Sequence, residues 1–207
     1  MLLKIFVQFW QITAGLFISD KDEHIAGKAL QIFSRFTWEL PQSIVGFLYN
    51  QLANILGSVT KVEYYGGATV VKGAAIKGGA VSLGSFISIS NSGHNNKNDI
   101  LVKSGAYTFM HEYGHYLQSR KNGFSYLFKY GLPSLWKAEW TEWDANQRAA
   151  KYFKKKEAFY WNPNYYKPGT YLHRYSQLPE NGKAIDASLI EFLILPLLPY
   201  LNKKKPF

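Results

Sequence analysis

Apolar residues recur every three or four positions in two stretches near the start of the chain. The first covers residues 1–18 and the second roughly 28–56, with Pro41 placed to begin a new segment inside the second stretch. This spacing puts the apolar residues on one face of an α-helix. The pattern therefore predicts helices as far as Gly57, a residue type that often follows a helix end.

The pattern changes after these helices. Residues 59–93 are rich in Val, Ile, Tyr and Gly, which is typical of short strands joined by glycine turns, and we expect three or so strands here. Helical spacing then returns. Ser104 is placed to cap a helix that Gly123 ends, and a further helix is expected over about 137–154. This order of elements predicts an α+β fold with a small mixed sheet packed on helices.

The chain is long enough for one domain with a sizeable core, and we expect a single domain over 1–207. Its 47% hydrophobic and 17% aromatic residues exclude a disordered chain. The expected parts are helices in 1–57, a sheet in 59–93, two helices with the candidate site in 104–154, and a C-terminal cap in 155–207.

Two apolar segments are candidates for contact with a membrane. The opening "MLLKIFVQFWQITAGLFISD" contains Lys4, Gln8 and Gln11, and it lacks a basic leader and a small-residue cleavage site. It is predicted to be a buried helix, with a signal-anchor as the alternative. Residues 189–201, "LIEFLILPLLPYL", are too few to span a bilayer and contain two prolines. That segment belongs either to the core or to the surface.

The formal net charge is +10, and part of it comes from the runs "KKKE" at 154–157 and "KKKPF" at 203–207. Such runs are typical of a solvated face and a terminal tail. No RNA-recognition, helix-turn-helix or zinc-finger signature is present, so we expect no nucleic-acid partner, while peripheral contact with a membrane stays open.

The chain has no cysteine, so zinc would have to be held by His, Asp, Glu or water. The oligomeric state is not indicated.

The stretch "HEYGH" at 111–115 carries the clearest chemistry. On a helix, His111 and His115 lie one turn apart on the face opposite the apolar stripe, which suits two bonds from imidazole nitrogens to one zinc ion. Glu112 lies beside that face and can reach a metal-bound water without binding the metal. Gly114 lets a neighbouring element come close. The alternative is a helix with two solvent-exposed histidines.

A catalytic zinc site needs a third protein ligand and an open position. The next predicted helix offers Glu142, with Glu139 as the rival ligand on nearly the same face and Asp144 pointing elsewhere. Asn146 lies one turn after Glu142 and can hydrogen-bond a metal-bound imidazole. Small residues on the Glu142 face favour a close helix crossing; these are Ala138, Ala145 and Ala149.

Two motifs together resemble those of the gluzincin metallopeptidases. They are His111-Glu112-x-x-His115 and, about thirty residues later, Glu142-x-x-Ala145-Asn146. The resemblance implies a zincin-like fold with the first motif on its central helix. It also implies zinc held by both histidines and the downstream glutamate, with the motif glutamate as general base. One membrane-associated branch of gluzincins has the pattern E-x-x-A-D, and here Asn146 stands where that branch has aspartate.

A wider resemblance is carried by "SRFTWELPQSIVGFLYNQ", "HEYGHYLQS" and "YLFKYGLPSL" within residues 12–153. These segments are similar to a group of Bacteroidetes proteins, some of which lie at the ends of RHS-repeat, toxin-like polypeptides. A secreted or cell-envelope location is therefore slightly favoured over a cytoplasmic one. The resemblance gives no substrate.

The expected function is a zinc-dependent peptidase that hydrolyses a peptide bond in a peptide or protein. Zinc would lower the pKa of a bound water and polarise the carbonyl, and Glu112 would take the water's proton and pass it to the leaving amine.

His173 is the best candidate for stabilising the oxyanion, and the alternative is an ordinary histidine at the surface or at the edge of the core. His94 is a weaker candidate, and His24 is expected to be solvated. The stretch "SLGSFISI" at 82–89 is either a substrate-pairing edge strand or an ordinary packed strand.

Two other functions compete with the peptidase. One is a non-catalytic binding module that keeps a zincin fold, with zinc as a structural staple. The retention of Glu112 argues against it, because a structural site has no use for a general base. The other is a toxin or effector domain that acts on a partner or a membrane, which overlaps with the first because a toxin can be a protease.

Overall fold

The computed structural model describes residues 2–75, 79–91, 106–135 and 139–156. These ranges confirm an α+β protein with a small mixed sheet between helices. The helices are α1 (Leu2–Ala14), α2 (Ile25–Arg35), α3 (Leu40–Ile55), α4 (Ala106–Asn122), α5 (Leu132–Leu135) and α6 (Glu139–Lys156). The strands are β1 (Lys61–Tyr65), β2 (Ala68–Lys72), β3 (Ala80–Leu83) and β4 (Phe86–Ile89).

The sheet has the strand order β1-β2-β4-β3, with one parallel pair between β2 and β4 and antiparallel pairs on either side. β1 and β2 form a hairpin through Gly66 and Gly67, both of which have positive φ, as two-residue hairpin turns require. The stretch 82–89 is not one edge strand. Gly84 turns the chain, so that β3 lies at the edge and β4 lies inside the sheet.

One face of the sheet packs against α1 and α3. Val71 and Phe86 point to this face and share a buried cluster with Ile12 of α1 and Ala53 of α3. Side chains alternate between the two faces along a strand, so the residues next to Val71 in β2 and next to Phe86 in β4 point to the opposite face. α1 and α3 therefore lie side by side on the same side of the sheet.

The other face packs against α4 and α6. Val70 and Ile87 join an aromatic-rich core that includes Phe109 and Tyr113 of α4 and Phe153 of α6. α4 lies between the sheet and α6, and most of its side chains are buried on all sides. This position makes α4 the central helix of the described residues.

The opening helix differs from its prediction. Residues 2–14 are helical, as expected, but the helix is not buried: Gln8 and Ile12 are its buried residues. Most of its large apolar side chains are exposed, namely Leu2, Leu3, Phe6, Val7, Phe9 and Trp10. No helix in the described ranges combines the length and apolar content needed to cross a membrane.

Several sequence predictions lie outside the described residues. They are the cap at Ser104, the loop with His94, the residue Ala138, and everything in 157–207, including His173 and the apolar segment 189–201. Gly123 has a positive φ and ends α4, as predicted. The chain then passes through a π-helical stretch, Leu127–Gly131, into α5.

Candidate metal centre

His111, His115 and Glu142 come together between α4 and α6. The Nε2 atoms of His111 and His115 lie 3.0 Å and 3.5 Å from Oε2 of Glu142. Their ligand atoms all lie within 4.8 Å of one another, so the three residues can hold one metal ion. Glu142, predicted from the sequence as the third ligand, is brought to the two histidines.

A close helix crossing makes this convergence possible. A Cβ built on Gly114 would lie only 2.6 Å from the carbonyl carbon of Ala145 on α6. Glycine is therefore required on α4, and Ala145 meets it from α6 as the small-residue face predicted. Ala149, one turn further along, packs into the core cluster under α4.

The two imidazoles are held by amide side chains on their far sides. Nδ1 of His111 lies 2.8 Å from Oδ1 of Asn146, and Nδ1 of His115 lies 2.8 Å from Oε1 of Gln118. An amide oxygen only accepts hydrogen bonds, so each Nδ1 carries the ring hydrogen in the neutral imidazole. Both Nε2 lone pairs are then directed towards Glu142.

Three electron-pair donors that face each other repel unless a cation lies among them. Two imidazole nitrogens and one carboxylate oxygen are also the ligand types that zinc takes. The residues present therefore fit a metal ion by the chemistry of their donor atoms.

A proton can occupy the same position when no metal is bound. Burial opposes charge on His115, but its hydrogen bond to Glu142 and the nearby Glu112 carboxylate outweigh burial and raise the pKa of His115 to about 9. Burial also acts to raise the pKa of Glu142, yet hydrogen bonds from His111 and His115 hold that pKa far below its usual range. Metal and proton compete for one site.

A second group of polar residues positions the amide of Gln118, which contacts His115. Nε2 of Gln118 donates to the carbonyl oxygen of Thr141 at 2.8 Å and to Oδ2 of Asp144 at 2.9 Å. Arg148 donates to the same Asp144 oxygen at 2.6 Å. Asp144 thus points away from the ligand group, as predicted, but it orients the amide that holds His115.

Glu142 is held from the far side by α5. The Ser134 hydroxyl donates to Oε1 of Glu142 at 2.5 Å, which leaves Oε2 for the histidines. Sequence reasoning missed Ser134, because nothing in its local pattern marks it as a partner of a residue on the next helix. The rival ligand Glu139 begins α6, but the structure describes only its backbone.

Glu112 lies beside the ligand group and is not part of it. Its side chain is buried and close enough to His111, His115 and Glu142 to feel their charge, and it accepts a hydrogen bond from the backbone N–H of Ser82 on β3. Burial raises the pKa of Glu112, Glu142 raises it further, and the two histidines and the Ser82 N–H only partly offset this. The carboxyl is thus placed between the edge strand and the candidate metal site.

Tyr126 is a further residue near the site that the sequence did not reveal. It is buried just before the π-helical stretch, and its hydroxyl lies 3.5 Å from the carbonyl oxygen of Ser82. Burial raises the pKa of Tyr126 well above its usual value, and the charges of Glu112 and Glu142 add to that effect. Its hydroxyl therefore stays protonated and able to donate.

The remaining predicted histidines do not join the group among the described residues. His24 is exposed, as expected, and its Nδ1 accepts a hydrogen bond from the backbone N–H of Gly27 at 2.7 Å, which caps α2. His111 and His115 are not solvent-exposed, since His115 is buried and His111 nearly so. This excludes the alternative of two surface histidines on a helix.

Comparisons with protein-family models, with curated proteins and with solved structures gave no match to this chain.

Proposed function

We propose that this protein is a zinc-dependent peptidase with a zincin-like fold. The observation that carries the proposal is the convergence of His111, His115 and Glu142 on one point, with the buried carboxyl of Glu112 beside them. His111, His115 and Glu142 would hold the zinc ion. Bound there, zinc would activate a water molecule and polarise the carbonyl group of the substrate.

The donor set favours a catalytic over a structural zinc site. Structural zinc sites are closed by four protein ligands, whereas catalytic sites use three and keep one position open. In the part of the chain that the structure describes, the group has three members. The absence of cysteine from the sequence also excludes the thiolate ligands common in structural sites.

Glu112 is the proposed general base. Burial and the Glu142 carboxylate raise its pKa, which brings its proton affinity nearer to that needed for proton transfer at neutral pH. It takes a proton from the attacking water and returns it to the leaving amine. Burying the Glu112 carboxyl costs desolvation free energy. A purely structural zinc site does not need a buried carboxyl beside its ligands, so this cost favours a catalytic role.

Tyr126 is the proposed donor to the developing oxyanion. Its hydroxyl remains neutral because burial and nearby carboxylates raise its pKa, so it can donate to a substrate oxygen in place of its long 3.5 Å contact with the Ser82 carbonyl oxygen. His173, the residue that the sequence suggested for this role, lies outside the described residues. Tyr126→Phe therefore tests the assignment directly.

The test combines zinc content with peptide cleavage by the full chain. Wild type, Glu112→Gln and Glu63→Gln are compared for zinc by atomic emission and for cleavage of a peptide library by mass spectrometry. Glu63 is a partly exposed carboxylate on β1, paired with Lys61, and serves as the matched control. General-base catalysis contributes about 10²–10⁴-fold, so we expect at least that loss for Glu112→Gln alone, with about one zinc per chain in all three proteins.

Three outcomes would count against the proposal. If wild type holds zinc but cleaves nothing, the structural-staple function replaces the peptidase. If Glu112→Gln cleaves as well as wild type, Glu112 is not the base. If Glu142→Gln keeps a full complement of tightly bound zinc, the ligand assignment is wrong.

A further inference from the structure

The outer face of α3 is entirely apolar. Its exposed side chains recur every three or four residues and therefore form one stripe along the helix and its C-cap. Leu48 and Leu52 in the middle of the stripe are each 58% exposed. The full stripe is Ile44, Val45, Leu48, Leu52, Ile55 and Leu56.

The buried face of the same helix is mostly polar. Gln51 donates to the backbone oxygen of Phe9 at 3.1 Å, and Asn54 donates to that of Ile5 at 2.9 Å, both on α1. Asn50 is buried against the sheet, where the Ser88 hydroxyl donates to its side chain at 2.9 Å. A helix on a water-exposed protein surface has the opposite arrangement, with apolar residues inside and polar residues outside.

α1 repeats this inverted arrangement next to α3. Its buried Gln8 donates to the backbone oxygen of Val59 at 3.2 Å, while Phe6 and Trp10 are exposed, Trp10 by 56%. Both helices cover the same face of the sheet, so their outer faces point the same way, away from it. Together they make one surface, the α1/α3 outer face, formed by the stripe of α3 and by Leu2, Leu3, Phe6 and Trp10 of α1.

The charges on these helices have one sign. α1 carries Lys4 and no other charged residue, and α3 carries none. α2, which precedes α3, also has no acidic residue and contains Lys28, whereas its Arg35 is buried and donates to the backbone oxygens of Gly15 and Leu16. Lys4 is therefore the one charged side chain of α1 and α3, and a surface that carries a lysine and no acidic group is complementary to a negatively charged partner.

We propose that the α1/α3 outer face docks on the surface of a lipid bilayer that contains anionic headgroups. Lipid hydrocarbon forms no hydrogen bonds, so an outer face without polar side chains can be buried in it at no cost in lost hydrogen bonds. Exposed aromatic rings such as those of Phe6 and Trp10 are typical of helices that lie at the interface between lipid and water. α3 has 16 residues and spans about 24 Å. Because its inner side is packed on α1 and the sheet, it meets the bilayer lengthwise, with its axis along the surface.

The experiment measures binding of the full chain to vesicles by co-sedimentation. Phosphatidylcholine vesicles with and without about one third phosphatidylglycerol are compared at low and high salt. We expect binding to the anionic vesicles that weakens with salt. The variant Leu48→Ser/Leu52→Ser should bind about tenfold more weakly or worse, because each leucine loses its burial in hydrocarbon. Lys4→Gln should lose about fivefold on anionic vesicles only.

The matched control is Phe128→Ser/Leu132→Ser. These side chains are 40% and 38% exposed and lie on elements other than α1 and α3. This variant should bind vesicles like wild type. Quenching of tryptophan fluorescence by brominated lipid should fall sharply in Trp10→Phe, which keeps an aromatic ring and should keep its binding.

Other results would overturn the proposal. Vesicle binding that is equal in the α3 variant and the control would place the docking surface elsewhere. Absence of vesicle binding by wild type, together with a dimer that Leu48→Ser/Leu52→Ser converts to monomer in sedimentation velocity, would make this face an interface between two copies. Absence of vesicle binding by a monomer would mean that another part of the chain or another protein covers it.

Discussion

Helices α4 and α6 cross at Gly114, and this crossing sets the distance between the two histidines and Glu142. Gly114→Ala adds one methyl group at the crossing point. An ideal Cβ there would lie 2.6 Å from the carbonyl carbon of Ala145 and 3.0 Å from its Cα. Ordinary contact begins at 3.4 Å, so α4 and α6 must separate by at least about 0.8 Å in the variant.

This separation acts directly on the metal ligands, because the histidines come from α4 and Glu142 comes from α6. Metal–ligand distances tolerate changes of about 0.2 Å, several times less than the separation required. We expect Gly114→Ala to weaken zinc binding about 10–100-fold, as does loss of the groups that orient ligands. Overpacking costs about 1–3 kcal/mol and a helical Gly→Ala change returns about 1 kcal/mol, so the metal-free variant should also unfold at a lower temperature.

The assay is a zinc titration in competition with a chelator, with thermal unfolding of the metal-free protein measured in parallel. Gly131→Ala is the matched control, since its nearest contact would be Cδ2 of Leu127 at an ordinary 3.6 Å. It should bind zinc like wild type and unfold at the same or a higher temperature.

A double variant sharpens the test. The atoms that obstruct the new methyl group belong to the backbone of Ala145, so Gly114→Ala/Ala145→Gly should not recover zinc affinity. The reasoning is refuted if Gly114→Ala binds zinc like wild type and is at least as stable. Recovery in the double variant would show that side-chain packing, and not backbone contact, sets the crossing.

Three further predictions concern the groups around the ligands. Asn146→Ala removes the partner of His111 Nδ1 and should lower zinc affinity about 10–100-fold in the same titration; unchanged affinity would mean that Asn146 does not orient the ring. Zinc must displace the proton from His115, whose pKa is raised to about 9, so zinc affinity should rise roughly tenfold per pH unit between about pH 6.5 and about pH 8. A flat profile over that range would contradict a protonated His115 in the metal-free protein. Tyr126→Phe should lower kcat about 10²–10³-fold with zinc content and KM little changed; an unchanged kcat in steady-state assays would remove the Tyr126 hydroxyl from the mechanism.

The local pattern of the sequence was enough to find the ligand group. Helical periodicity placed His111 and His115 on one face, and the small residues around Glu142 indicated a helix that could come close. These predictions depend on spacing within single helices. The spacing of small residues also predicted a close helix crossing, and the contact between Gly114 and Ala145 confirms it.

The supports of the site could not be read from the sequence in the same way. Ser134 and Tyr126 lie on short irregular helical segments, and their partners Glu142 and Ser82 lie on other elements. No periodicity connects such residues, because their proximity depends on how the π-helical stretch turns the chain under α4 and α6. Helical spacing puts Gln118 near His115 on α4, but its bond to Asp144 depends on the helix crossing.

The N-terminal helices show where a periodicity argument gives the right element and the wrong environment. The spacing of apolar residues in 28–56 predicted helices, and α2 and α3 confirm them. The usual inference that the apolar stripe faces the core fails at Leu48 and Leu52, which are exposed. Periodicity defines two faces of a helix, but it does not say whether water, lipid or protein lies against each.

Buried polar side chains line both helix pairs, α1 with α3 and α4 with α6, and their chemistry separates the two cases. In the first pair, the amide nitrogens of Gln51 and Asn54 meet backbone oxygens, so donors face acceptors and no cation is needed between them. In the second, the Nε2 atoms of His111 and His115 face the Glu142 carboxylate after their ring hydrogens are directed elsewhere. Acceptors that face acceptors need a cation between them. Burial of polar groups alone therefore does not indicate a metal site in this protein, whereas a surplus of converging lone pairs makes His111, His115 and Glu142 a candidate for one.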